Sequence, residues 1–143
     1  MKTEYQIVVD TENGLCESIE SFKSLLNINS KITLSENTIE FDELHFEYNL
    51  ELNILSSQNQ NIFHLEISID NGNSYDTYVK LLRLIREILN KVSLSINILW
   101  DDLSIKYCKE AYPLIHKTEN LLRKLITKFM VTNVGLEWTN DNL

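Results

Sequence analysis

The sequence predicts an α+β fold: a mainly antiparallel sheet of five to six strands with helices packed on one face, an elaborated split βαβ arrangement, plus a long C-terminal helix. Three patterns carry this expectation. Residues 44–54 alternate strictly, with Leu44, Phe46, Tyr48, Leu50, Leu52 and Ile54 apolar and His45, Glu47, Asn49, Glu51 and Asn53 polar. That is the period of a strand with one buried face. The stretch "NIFHLEISID" repeats the code, placing Phe63, Leu65, Ile67 and Ile69 inward and His64, Glu66, Ser68 and Asp70 outward. The polar residues 56–61 then join two antiparallel strands as a hairpin loop. Finally, apolar residues recur in steps of three and four over most of the last 40 positions, which is a helical period.

The other elements follow in chain order. "YQIVVD" (5–10) is apolar and β-branched and reads as a first strand. "TENGL" turns the chain and launches Leu15, Ile19, Phe22 and Leu26 at helical spacing, a short amphipathic helix. "KITL" and "TIEF" flank "SEN", a hairpin turn. After "NGNS", where Asn73 or Ser74 can cap, Tyr78, Leu81, Leu82, Ile85, Leu89 and Val92 form a helical stripe. "SLSINILW" (93–100) returns to alternation, with Leu94, Ile96, Ile98 and Trp100 on the inner side. The expected organisation is an α+β sheet domain over residues 1–100 and a helical segment over 101–143. Pro113 inside that segment implies a kink or a restart, because proline lacks the N–H and clashes with the preceding turn.

Composition narrows the function classes. The chain has 143 residues, enough for one core that buries about two thirds of the unfolded surface. Its apolar and charged fractions, 43% and 24%, are those of an ordinary globular domain. A formal net charge of −8 disfavours non-specific nucleic-acid binding, which needs clustered Lys and Arg. The N-terminal stretch has no apolar signal core, and no run reaches the ~18 apolar residues of a membrane span, so a cytoplasmic protein without membrane attachment is expected. Cys16 and Cys108 lie far apart, without metal-ligand or disulfide-framework spacing, and both read as buried thiols.

No phosphate loop, nucleophile elbow or zinc-protease motif is present in the sequence, and no cofactor, metal or catalytic set is predicted. His45 and His64 fall on the polar faces of adjacent strands, where they could meet across the hairpin beside Glu47 or Glu66; solvated surface histidines are the simpler reading. Asp101 and Asp102 stand where a helix N-terminus wants carboxylates. Glu47, Glu51 and Glu66 make the far sheet face acidic, a solvated face or a docking face for a basic partner.

The C-terminal segment holds the main functional pattern. Ile105, Cys108, Tyr112, Ile115, Glu119, Leu122, Ile126 and Phe129 recur in alternating steps of three and four, the seam of a helix packed along another. Leu114, Leu121 and Leu125 widen the stripe. Glu119 interrupts it, with Arg123 one turn later as the nearest counter-charge. The expected helix interface is therefore Tyr112, Ile115, Glu119, Leu122, Arg123, Ile126 and Phe129.

The stretch "AYPLIHKTENLLRKLITKFM" (111–130), with Tyr112, Pro113, Glu119, Leu122, Arg123, Leu125 and Ile126, resembles the leading helix of HEPN-type domains of bacterial defence and toxin proteins. The likeness covers about residues 108–138. It implies metal-independent endoribonuclease chemistry in a helical dimer, with an Arg-x(4-6)-His pair on a later helix. That pair is missing here: no arginine has a histidine at this spacing, and His116 precedes Arg123. The resemblance therefore implies a non-catalytic N-terminal sensing, regulatory and self-association module of an antiviral-defence or toxin–antitoxin protein whose missing C-terminal part is the HEPN-like ribonuclease. The alternative is a free-standing acidic binding protein, an antitoxin, inhibitor or immunity-like partner that covers a basic site.

Overall fold

The computed structural model describes residues 1–70 and 74–138. In chain order its elements are β1 (Lys2–Asp10), α1 (Ile19–Asn27), β2 (Ile32–Leu34), β3 (Thr38–Phe41), β4 (Leu44–Leu55), β5 (Gln60–Ser68), α2 (Tyr75–Leu89), β6 (Ser95–Asp101) and α3 (Asp102–Asn133). The chain divides into two compact units, Met1–Leu103 and Ser104–Leu143.

In the first unit the six strands form one sheet in the order β2-β3-β4-β5-β1-β6, and every neighbouring pair is antiparallel. β5 therefore splits the β1-α1-β4 connection, and β1 splits β5-α2-β6. The fold is α+β with two interleaved split βαβ units, and the β2–β3 hairpin is the elaboration.

Strand alternation decides which face is buried. Tyr5, Ile7 and Val9 of β1, Phe63, Leu65 and Ile67 of β5, and Phe46 and Tyr48 of β4 all lie in the core. α1 adds Phe22 and Leu26, and α2 adds Tyr78, Leu81, Leu82, Ile85 and Leu89. Phe22 stacks on Phe63 at 4.5 Å between ring centroids, and Phe46 tilts against Tyr78 at 5.8 Å. Both helices thus cover the same side of the sheet. The hydroxyl of fully buried Tyr78 donates to the Ile67 carbonyl at 2.8 Å and is hydrogen-bonded with Thr3 Oγ1 at 3.0 Å. Burial forces that pairing, since an unsatisfied hydroxyl there would cost on the order of 1–3 kcal/mol.

Local signals explain the element boundaries. α1 starts four residues later than the apolar spacing implied, at Ile19, because Ser18 and Ser21 form a reciprocal capping box. Leu15 is consequently outside the helix and exposed. Buried Asn61 donates from Nδ2 to the carbonyls of Cys16 and Glu17 at 3.1 and 3.3 Å, which fastens the segment leading into α1. At the start of α2, Ser74 holds the cap position without a side-chain bond, while Asn73 and Gly72 lie outside the described residues. β3 and β4 are joined by only Asp42 and Glu43, both at positive φ (48° and 65°), the backbone that a two-residue hairpin turn requires. α3 is one helix through Pro113, so of the two expectations the restart does not occur.

β6 departs most from simple alternation. Its register against β1 shifts between Glu4 and Tyr5, so Ile98 faces Tyr5 while Trp100 faces Glu4, with Leu99 as the extra residue. Directly paired residues share a face. Ile98 therefore stays on the helix side, and Trp100, expected inward, turns to the open side, where Lys2 Nζ lies 5.9 Å from its ring centroid. Ile54 and Leu94, also expected inward, are exposed near strand ends.

Candidate functional site

Two surfaces carry the residues that the sequence singles out, one in each unit. The first is the face of the sheet opposite α1 and α2. Glu4 at its centre accepts from Lys2 Nζ and lies 3.3 Å from His64 Nε2, and Lys2 also reaches Glu66 at 3.4 Å. Lys2, above all, holds the Glu4 carboxyl below its ordinary range. Neighbouring Asp102 accepts the Lys2 backbone N–H at 2.9 Å and the Trp100 indole at 2.6 Å, and these two bonds lower its pKa. Here Lys2 ties two carboxylates, Glu4 and Glu66, together, and its backbone N–H holds a third, Asp102.

The β-ladders show why the two strand histidines do not act together. His64 stands opposite Glu51 on β4 and Gln6 on β1, whereas His45 stands opposite Glu40 on β3. Six residues of β4 separate Glu51 from His45, about 20 Å at ~3.3 Å per residue. Glu47 and Glu51 are exposed, while Glu66 is half-buried and tied to Lys2. The expected acidic face thus keeps two exposed carboxylates, Glu47 and Glu51, the latter accepting from Asn49 Nδ2 at 3.2 Å, joined on β3 by exposed Glu40. Asp101 caps the following helix by accepting the Leu103 N–H at 3.0 Å.

The second surface is α3. From Ser104 to Phe129 every residue except Lys106 is exposed. Tyr112, Ile115, Leu122, Ile126 and Phe129 are 70%, 64%, 54%, 54% and 65% exposed, and Leu114, Leu121 and Leu125 exceed half. At 100° per residue these side chains fill about half the helix circumference. An apolar face this broad is usual for a helix with something packed upon it. Glu119 accepts from Arg123 at 2.7 Å, as their spacing implied, and this is a well-exposed pair. Tyr112 also stacks its ring parallel to His116 at 6.3 Å.

The two cysteines differ. Cys16 is buried, and desolvation raises its pKa, so its thiol is inert. Cys108 is exposed on the helix seam, contrary to the expectation of a buried thiol. The sequence pattern ranked it as core because the spacing cannot say whether the covering partner belongs to the same chain.

The charge distribution was a legible signal missed in the net value. Residues 1–103 hold 7 of the 13 Lys and Arg and 17 of the 21 Asp and Glu, a net charge of −10. Helix residues 104–133 instead carry Lys106, Lys109, Lys117, Arg123, Lys124 and Lys128 against Glu110 and Glu119. α3 is thus a basic amphipathic helix in an acidic protein.

Among the described residues, no group of three or more His, Cys, Asp or Glu is placed to hold a metal ion, and no helix is long and apolar enough to cross a membrane. No protein-family model, curated relative or solved structure matches the chain.

Proposed function

We propose that the protein is a non-catalytic self-association module and that the apolar face of α3 is its contact element. The observation that carries this reading is the continuous exposure of large apolar side chains from Tyr112 to Phe129 on a well-formed helix. Leaving such a stripe in water forgoes about 1.5–3 kcal/mol for each large side chain that a partner could fully bury. The HEPN-like pattern of "ENLLRKLI" adds a biological setting: a defence- or toxin-type protein in which the sheet unit senses or regulates and α3 leads into a helical ribonuclease bundle. Glu119 and Arg123 then belong to the helix–helix interface, where their pairing satisfies a carboxylate that would otherwise be desolvated alone.

Light-scattering chromatography of the wild type and of Leu122→Asp, in low and high salt, tests this reading. The expected result is a wild-type dimer that persists in high salt and dissociates, still folded, on substitution. A wild-type monomer at all concentrations, or a dimer that Leu122→Asp leaves intact, would overturn it.

One observation favours a second reading. The −10 charge of residues 1–103, with Glu40, Glu47 and Glu51 exposed, suits an inhibitor- or antitoxin-like protein that covers a basic site on its partner. A heterocomplex that dissolves in modest salt, lost on Glu47→Lys together with Glu51→Lys, would support it.

A further inference from the structure

We infer that two copies of α3 pair antiparallel, in one register, with each copy's Arg123 beside the other's Glu119. This deepens the self-association reading and rests on it. The strict alternation of steps allows antiparallel registers seven residues apart. The one that brings Arg123 of one copy to Glu119 of the other takes the seam from Cys108 through Tyr112, Ile115, Glu119, Leu122, Ile126 and Phe129 one step on to Asn133, with Ile105 left beyond the matched span. Its steps run four, three, four, three, four, three and four. That series reads the same from either end. An antiparallel second copy therefore matches it layer by layer, setting Tyr112 on Phe129, Ile115 on Ile126, Glu119 on Leu122 and Cys108 on Asn133. A two-fold axis needs such a self-complementary patch.

Charge selects the same occupant. Glu119 sits within the apolar face, where burial in lipid or against a plain apolar groove would strand its carboxylate. In the antiparallel register Arg123 of the second copy falls opposite Thr118, adjacent to Glu119. Each carboxylate then has its own Arg123, already 2.7 Å away, and the second copy's as well. A parallel pair would place Glu119 against Glu119. The five lysines of the helix lie mostly on the opposite arc, so an antiparallel pair spreads them over both ends of the contact.

Native Cys108 supplies the test, since it is exposed on the seam while Cys16 is buried. In the antiparallel register two Cys108 thiols are 25 residues of helix rise apart, roughly 37 Å at 1.5 Å per residue, far beyond disulfide reach. The full-length protein and its Asn133→Cys variant are oxidised with copper phenanthroline in air and run on a non-reducing gel, with masses measured by light scattering. The expected result is no cross-link in the wild type and a covalent dimer for Asn133→Cys. As a second measurement, in a Cys108→Ser background, Ile115→Cys and Ile126→Cys proteins should cross-link when mixed and not singly.

Efficient wild-type cross-linking through Cys108 would overturn the orientation in favour of a parallel pair. A dimer by mass in which neither Asn133→Cys nor the mixed pair cross-links would overturn the register while leaving self-association standing. A monomer by mass, including one that floats with anionic phosphatidylserine vesicles, would overturn the self-association reading itself and this inference with it.

Discussion

Glu119→Leu should tighten self-association. Glu119 and Arg123 form an exposed pair one turn apart, 58% and 71% accessible at the side chain. Such a pair stabilises a lone helix by about 0.3–0.5 kcal/mol, and leucine is as good a helix former as glutamate, so the isolated helix loses little. In the dimer the new side chain meets Leu122 of the second copy. Burying a leucine fully is worth about 1.5–3 kcal/mol, and a two-helix seam covers roughly half of it. Two such side chains per dimer contribute about 1.5 kcal/mol net of the two lost pairs, equivalent to a roughly 10-fold lower Kd. Sedimentation equilibrium over a hundredfold concentration range, with Glu119→Gln as the uncharged control, reads this directly. A Kd unchanged within twofold for Glu119→Leu would mean that position 119 does not enter the contact.

Other predictions concern the sheet unit. Tyr78→Phe removes a hydroxyl bonded to Ile67 and Thr3 inside the core, and chemical denaturation should show a loss of about 1–3 kcal/mol; a change below ~0.5 would refute the buried bond. Glu43→Gly should stabilise by roughly 0.5–1 kcal/mol, because glycine relieves the left-handed backbone of the β3–β4 turn, and any loss of stability would contradict that turn. Asp102 has a folded-state pKa lowered from 3.8 by the Lys2 N–H and the Trp100 indole. Its contribution is therefore complete above the unfolded value and is lost as pH falls through the folded one. Asp102→Asn should flatten the decline in stability below about pH 4, and an unchanged acid profile would dismiss the linkage.

Much of the sheet was legible because its signals are local. The alternation at 44–54 and 62–69 reports strand, buried face and hairpin together, and the ladder from Glu47–Ser68 to Leu55–Gln60 follows from it. The sheet face opposite α1 and α2 was less legible. The Lys2–Glu4–His64–Glu66 lattice depends on β1 lying beside β5, some 60 residues away in sequence, and no local spacing announces that pairing. The inward placing of Trp100 failed at a single inserted residue, Leu99, since one extra residue in a ladder reverses every face beyond it.

For α3 the period was readable and the partner was not. The three-and-four spacing of Tyr112, Ile115, Leu122, Ile126 and Phe129 requires an apolar neighbour, which could equally be supplied within the chain or by another molecule. Among the described residues these side chains are exposed, and Cys108 is an accessible thiol on the seam where a core thiol was expected. The Glu119–Arg123 bond was foreseeable from spacing alone, because residues four apart on a helix are surface neighbours.

Amide hydrogen exchange of the full-length protein, followed by mass spectrometry from high to low protein concentration, tests the role of α3 most directly. If its apolar face is a self-association surface, protection across residues 112–129 rises with concentration while that of β1, β4 and β5 stays constant. Protection of α3 that is independent of concentration would contradict the account.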